Sequence, residues 1–160
     1  MAARPDPPPG IAIEPAAHDG LEALLPLIAA YQRFYGVSSP DDECNRAFFD
    51  RFAPSGEEGL LLGAWDGEAA VGFACLYFRP ESVSARDVAH LHDLYVSDSV
   101  RGRGVGRSLI DRALAEARDR GYPSLTWQTA IDNRAAQRLY ENYDAERTTW
   151  FEYEMDIPAR

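Results

Sequence analysis

Three glycines, at positions 102, 104 and 106, alternate with Arg103 and Val105 and are bracketed by Arg101 and Arg107, at the start of a segment with the pattern of an amphipathic helix. Glycine lets successive backbone N–H groups turn toward one point, because no Cβ blocks the approach. Unpaired N–H groups at the positive end of a helix dipole form an anion site, and arginines at its rim add charge-assisted donors. The stretch therefore predicts a pyrophosphate cradle formed by Arg101, Gly102, Arg103, Gly104, Val105, Gly106, Arg107 and Ser108. The alternative is a flexible turn that only caps the helix.

Spacing excludes two common phosphate-binding loops. A P-loop requires a lysine after its last glycine, and the chain contains no lysine. A dinucleotide fingerprint requires G-x-G-x-x-G, but counting from Gly102 or Gly104 places Arg107 or Leu109 at the last glycine position. What remains is the pattern R-x-x-G-x-G over residues 101–106, with a strand-like segment before it and the helix after it.

A second motif follows the helix. A strand-like segment spans residues 124–130, and the spacing N-x-x-A-x-x-L-Y is then formed by Asn133, Ala136, Leu139 and Tyr140. The two motifs in this order resemble those of the GCN5-related N-acetyltransferase family, most strongly over residues 88–143. The segment HLHDLYV (90–96) is most similar to the branch of that family that acts on polyamines, free amino acids and related small amines.

The resemblance implies acetyl-CoA as the cofactor and assigns residues to it. In this family the strand before the loop splays, and its free backbone groups pair with pantetheine and the thioester oxygen. The asparagine of the second motif holds the pantetheine arm or an ordered water, although Asn133 could equally be a residue at the start of a helix. The expected cofactor-binding residues are those of the cradle together with Leu94, Tyr95, Val96, Asn133, Ala136 and Tyr140.

The resemblance also implies catalytic residues. Tyr140 matches the tyrosine that protonates the leaving thiolate, with a packed helix aromatic as the alternative reading. His92 stands where similar polyamine acetyltransferases carry a glutamate that draws off the proton of the amine, and histidine can accept a proton near neutral pH. Asp93 is the second candidate base, and a packed strand histidine is the alternative for His92. His90 and His92 could hold a metal, but no third ligand is evident, and no metal is expected.

The acceptor pocket of this family lies against the two N-terminal helices. The residues expected to line it are Tyr31, Tyr35, Asp41, Asp42 and His92. Acidic and aromatic side chains suit an ammonium group. Solvated helix faces are the alternative explanation of the same residues.

Composition narrows the class of protein. The chain has 160 residues, of which 46% are hydrophobic, and it has no apolar run that approaches the ~20 residues needed to span a bilayer. A net charge of −10 argues against nucleic-acid binding and favours the approach of cationic substrates. Two cysteines without metal or disulfide spacing favour a cytoplasmic location. Residues 1–10 predict a disordered, proline-rich leader, and residues 11–157 a single domain.

The remaining periodicities predict the elements that position these residues, in the order β-αα-βββ-α-β-α-β. With the resemblance, they predict an α/β (α+β) fold in which helices flank a central, mixed, mostly antiparallel twisted sheet. The last strand is expected within residues 148–157. The family has a glycine before its last strands, and residues 141–150 contain none, so the final hairpin is expected to be altered or shortened. Its contribution to a homodimer interface stays open.

These observations predict an acetyl-CoA-dependent N-acetyltransferase. The expected acceptor is a primary amine of a small, cationic molecule: a polyamine, a diamine or an amino acid. One alternative is transfer to a protein or peptide, and another is a non-catalytic sensor of acyl-CoA. Tyr140 and Asn133 favour an enzyme, because a protein that only binds the cofactor needs no acid at the sulfur.

Overall fold

The computed structural model describes residues 6–53 and 56–158. The chain divides into two compact units, Met1–Gln128 and Thr129–Arg160. Of the predicted leader, residues 1–5 lie outside the described residues, and residues 6–10 lead through a turn into the first strand. The N–H of Ile11 donates to the carbonyl of Pro8 at 2.9 Å in this turn.

A five-stranded sheet forms the centre of the first unit. Its strands are β1 (Ile11–Pro15), β2 (Gly59–Asp66), β3 (Ala69–Glu81), β4 (Arg86–Val96) and β5 (Leu125–Trp127). They lie in chain order across the sheet, and β1 to β4 pair antiparallel, whereas β5 pairs parallel to β4. This arrangement confirms the predicted mixed, mostly antiparallel sheet.

Helices cover both faces of this sheet. Helices α1 (His18–Phe34) and α2 (Asp42–Phe49), with a 3₁₀ turn at Asp50–Phe52, bury their apolar side chains against Phe73 and Cys75 of β3. Helix α3 (Val105–Asp119) packs on the opposite face, where Leu109 lies next to Gly72. Side chains that alternate along β3 therefore contribute to two separate apolar layers.

The second unit contains helix α4 (Arg134–Tyr140), and no strand is found among its described residues. The strand predicted within residues 148–157 is therefore wrong for this structure. Its apolar side chains are 86–91% exposed: Trp150, Phe151, Tyr153, Met155 and Ile157. Alternating apolar residues make a strand only when a neighbouring strand supplies hydrogen-bond partners, and within residues 6–53 and 56–158 no strand pairs with residues 144–158. The strand predicted at residues 124–130 is also shorter, at Leu125–Trp127.

No helix among the described residues is both long and apolar enough to pass through a membrane.

Candidate active site

The loop between β4 and α3 has the geometry that its glycines predict. After a 3₁₀ turn at Asp98–Val100, Gly102 and Gly104 adopt left-handed φ angles of +79° and +90°. Gly104 is the N-cap residue of α3, so the first N–H groups of that helix face the loop. A Cβ built on Gly102 would meet no atom within 4 Å, so the space beside this backbone is open. The loop therefore fits phosphate oxygens held by backbone donors.

Three guanidinium groups surround this loop, and each already has an acidic partner. Arg101 pairs with Asp98 at 2.7 Å, and Arg103 pairs with Asp66 at 2.9 Å. Nε of Arg107 lies 3.8 Å from Oδ2 of Asp111, one turn further along α3. The pairs of Arg101 and Arg103 are partly or largely exposed to solvent, so each contributes little to stability, and either guanidinium can exchange its carboxylate for a phosphate.

The end of β4 leaves one of its edges unpaired. Leu94, Tyr95 and Val96 pair with β3, but the parallel ladder with β5 ends where Leu91 meets Trp127. Within the described residues, the edge of β4 that faces β5 has no strand partner beyond that point. On this edge the carbonyl of Val96 accepts from Nε of Arg101 at 3.3 Å, and no strand among the described residues lies beside the backbone of Leu94.

The pairing between β3 and β4 contains a β-bulge at His92. Cys75 is opposite Asp93, and the next residue, Leu76, is opposite Leu91, so His92 is the extra residue. A bulge bends the strand and redirects its side chains. Here it brings the side chains of His92 and of Asp93 toward groups on the α1–α2 face of the sheet.

Asp93 lies on that face beneath α1. Its side chain is buried, and the hydroxyl of Tyr31 donates to it. Burial raises the pKa of Asp93 above its usual range, against the opposing effects of Tyr31 and His92. Burial and the negative charge of Asp93 in turn raise the pKa of Tyr31. A carboxyl group held in this way resists ionisation more than an exposed one does.

His92 is exposed and stacks on Tyr77 of β3, with ring centroids 4.4 Å apart and an angle of 22° between the ring planes. Tyr77 also stacks on Phe52, at 5.2 Å and 26°. Sequence reasoning identified His92 but missed Tyr77, because no pattern in the sequence gives the register that places the two side by side.

His90 is a second residue of the site to which the sequence assigned no role of its own. It is 7% exposed, its Nδ1 lies 2.9 Å from Oγ1 of Thr126, and its ring is 5.6 Å from that of His92. Burial, and then the charges of Arg79 and His92, lower the pKa of His90 to about 4. His90 is therefore neutral at neutral pH.

The residues expected to line the acceptor pocket fall into two groups, the tyrosines of α1 and the aspartates at the start of α2. The ring of Tyr31 contacts Tyr35 at 4.9 Å and Tyr95 at 6.2 Å, so these tyrosines lie together near the end of β4. The carboxylate of Asp41 accepts from the N–H of Cys44 at 2.8 Å and caps α2. This backbone hydrogen bond lowers the pKa of Asp41. Asp42 lies in the first turn of α2 and is exposed. Among the described contacts, none joins the carboxylate of Asp41 or of Asp42 to the tyrosines.

Helix α4 carries the residues of the second motif. Asn133 is its N-cap, and its Oδ1 accepts from the N–H of Ala136 at 3.2 Å. Asn133, Ala136 and Tyr140 share one helix face and are half-buried. The amide Nδ2 of Asn133 stays available to a ligand while its oxygen caps the helix.

Among residues 6–53 and 56–158, no group of three or more histidine, cysteine, aspartate or glutamate side chains is arranged to hold a metal ion.

Known proteins resemble this chain in sequence and in fold. The model of the Acetyltransferase (GNAT) family matches residues 24–144. The chain is 34% identical over 139 residues to an uncharacterized N-acetyltransferase, YhfO, of Bacillus subtilis (strain 168), a match that covers 86% of this chain and 92% of that protein. It is also 34% identical over 131 residues to the D-amino-acid N-acetyltransferase HPA3 of Saccharomyces cerevisiae (strain ATCC 204508 / S288c), covering 81% and 79%. The crystal structure of a probable acetyltransferase superposes with a TM-score of 0.77 at 28% identity, covering 94% of this chain and 99% of that one.

Proposed function

Because the chain belongs to the acetyltransferase (GNAT) family and is an acetyl-CoA-dependent N-acetyltransferase, we propose that it acetylates a primary amine of a small, cationic molecule. The observation that carries this proposal is the bulge in β4, which brings His92 and the buried Asp93 to one face together with Tyr31 and Tyr77. Aromatic faces and a carboxyl group favour an ammonium ion. The net charge of −10 draws a cation toward the protein.

The cradle residues 101–108 would hold the pyrophosphate of the cofactor through backbone N–H groups and guanidinium groups. When bound, acetyl-CoA supplies an acetyl group activated as a thioester. The backbone of residues 94–96 would hold the pantetheine chain, and Asn133 and Ala136 would contribute from α4. These residues bind and orient, and they take no part in proton transfer.

Two residues would move protons. His92 accepts the proton that the amine loses as its nitrogen forms the new C–N bond, and the neighbouring charge of Asp93 stabilises the imidazolium. Tyr140 donates its phenol proton to the sulfur as the C–S bond breaks. Tyr31 and Tyr35 would contact the acceptor.

The test is release of the CoA thiol from acetyl-CoA in the presence of a panel of amines, with products identified by mass spectrometry. We expect small cationic amines to be acetylated and His92→Ala to slow their acetylation. Preference for peptides over every small amine would contradict the proposed acceptor. Release of the thiol without any acetylated product would contradict the proposed function as a whole.

A further inference from the structure

The C-terminal end of α1 carries aromatic side chains that are exposed to solvent. Phe34 is 65% exposed and Tyr35 is 56% exposed. Tyr31, one turn before Tyr35, is half-buried, and the spacing of three and four residues places all three side chains on one side of the helix end. Exposed apolar side chains that lie together beside a candidate active site favour contact with a ligand. We name Tyr31, Phe34 and Tyr35 the α1 aromatic group.

Backbone hydrogen bonds hold this end of α1 in a defined conformation. The N–H of Gly36 donates to the carbonyl of Arg33 at 3.0 Å. The N–H of Val37 donates to the carbonyl of Gln32, also at 3.0 Å. Gly36 takes a left-handed φ of +91°, as this type of helix ending requires. The exposed rings therefore project from a helix end with a fixed backbone.

The rings of the α1 aromatic group meet edge to face. The centroids of Tyr31 and Tyr35 are 4.9 Å apart, with 64° between the ring planes. The centroids of Phe34 and Tyr35 are 5.1 Å apart, with 85° between the planes. Despite these contacts, more than half of the surface of Phe34 and of Tyr35 stays exposed, so a further ring can pack against them.

Tyr31 connects the α1 aromatic group to the reacting end of the site. Its hydroxyl donates to the buried Asp93, and its ring centroid lies 6.2 Å from that of Tyr95 at the end of β4. Asp93 directly follows His92, the candidate base. An amine that reacts beside Asp93 therefore lies next to the inner ring of the group, and the two exposed rings continue from there toward solvent.

The α1 aromatic group offers ring carbon and, among the described contacts, a single carboxyl partner, Asp93. The hydroxyls of Tyr31 and Tyr35 are hydrogen-bonded to each other, and the carboxylate of Asp41 caps α2 instead of reaching the rings. A second ammonium, as in a diamine, would lose part of its hydration here without an ionic partner. An aromatic ring has no charge to desolvate and gains from edge-to-face pairing.

We propose that the acceptor is a primary amine joined by a short alkyl chain to an aromatic ring, and that the α1 aromatic group binds this ring. This inference rests on the proposed function and narrows its acceptor to molecules with a single ammonium group. The ammonium lies at Asp93 and His92, and the ring packs on Phe34 and Tyr35. The amine nitrogen forms the amide bond, its proton goes to His92, and the CoA thiol leaves with the proton of Tyr140.

The experiment compares three primary amines as substrates of the wild-type enzyme. They are phenethylamine, cyclohexylethylamine, in which the ring is saturated, and putrescine, which carries a second ammonium instead of a ring. We expect kcat/KM for phenethylamine to exceed that for cyclohexylethylamine by roughly two- to tenfold, because only an aromatic ring pairs edge to face. It should exceed that for putrescine by at least about tenfold, because only the ring removes apolar surface from water without a charge.

Substitution of Phe34 tests the same contact in the protein. Phe34→Ala should lower kcat/KM for phenethylamine by about tenfold and leave that for putrescine within about twofold. Phe48→Ala is the matched control, because Phe48 is 41% exposed on α2 and its ring also lies 5.1 Å from that of the next residue, at 81°. The control should leave kcat/KM for both amines unchanged. Calorimetry with CoA should give the same affinity for both variants, which shows that each is folded.

The inference is overturned if the wild-type enzyme uses putrescine or cyclohexylethylamine as well as phenethylamine. It is also overturned if Phe34→Ala and Phe48→Ala lower kcat/KM for phenethylamine equally. In both cases acetylation of the other amines leaves the proposed function intact, whereas the proposed function itself fails if no small amine reacts. Because the first comparison uses wild-type protein, it decides the question even if Phe34→Ala fails to fold.

Discussion

The lowered pKa of His90 predicts how much stability the protein loses as the pH falls. Its pKa falls from 6.5 to about 4 because the ring is buried, and because Arg79 and His92 oppose a further positive charge. A group with a lowered pKa in the folded state contributes stability above its unfolded pKa, and that stability is lost as the pH falls through the folded pKa. For His90 this window runs from about pH 6.5 down to about 4. At 1.36 kcal/mol per pH unit, the free energy of unfolding loses about 3 kcal/mol across it.

The perturbation is His90→Asn, which keeps a polar atom near the position of Nδ1, 2.9 Å from Oγ1 of Thr126 in the wild type. We expect the variant to be less stable than the wild type at pH 7 and to lose about 3 kcal/mol less between pH 7 and pH 4. For a chain of this size the difference corresponds to roughly 6–12 °C in Tm. Thermal and urea unfolding at several pH values measure it.

His18→Asn is the matched control, because the side chain of His18 is 64% exposed. It should reproduce the pH dependence of the wild type. Asp93 is common to every variant compared, so its titration cancels in the difference. If the gap between wild type and His90→Asn does not narrow as the pH falls from 7 to 4, His90 accepts a proton in the folded state, and the buried, neutral imidazole described above is refuted.

Three further predictions concern the site. Gly104→Glu should abolish CoA binding in calorimetry, because it forces a side chain at φ +90° and places a carboxylate beside the phosphates. Gly121→Glu, at φ +80° beyond the other end of α3, should bind CoA normally. Equal loss of binding in both variants would show that backbone strain alone is responsible. Tyr140→Phe should lower kcat by about 10²–10⁴ with CoA affinity nearly intact, whereas Tyr143→Phe should not, and an unchanged rate would mean that another group protonates the sulfur. Asp93→Asn should slow acetyl transfer yet raise Tm at neutral pH. A buried carboxyl with a raised pKa contributes stability at low pH, and that stability is lost as the pH rises through the pKa of the folded state. A lower Tm of the variant at pH 7 would contradict this direction of the pKa shift.

The conformation of the glycine loop before α3 could be predicted from the sequence because every feature of it is local. Glycine spacing, flanking arginines and the apolar period of α3 all lie within one continuous stretch, and the structure has a helix after the loop as the pattern predicts, from Val105 to Asp119. The helix ends at Asp119, and Gly121 just beyond it takes a left-handed φ of +80°, as glycine commonly does after a helix. Local chemistry decides such elements with little help from the rest of the chain.

Two features could not be predicted from the sequence, because both depend on pairing between distant segments: the conformation of residues 148–157 and the direction of the side chains near His92. The alternation at residues 148–157 has the period of a strand, but a strand also needs a neighbour, and none of the described residues pairs with it. The direction of the side chains near His92 depends on the register of β4 against β3, which no short pattern contains. In a regular strand, Asp93 would point to the face opposite that of His92.

The bulge therefore determines which chemistry this sheet can support. Because His92 is inserted between two paired positions, it can stack on Tyr77 while Asp93, the next residue, is hydrogen-bonded by Tyr31 on the same face. Without the extra residue, the sheet would present either an exposed imidazole or a buried carboxyl to the acceptor, and not both. The ring of Tyr77 stacks on His92, so a residue of β3 positions the candidate base of β4. Tyr77→Leu should consequently lower kcat for acetyl transfer and leave CoA affinity nearly intact, and an unchanged kcat would show that stacking on Tyr77 does not position His92.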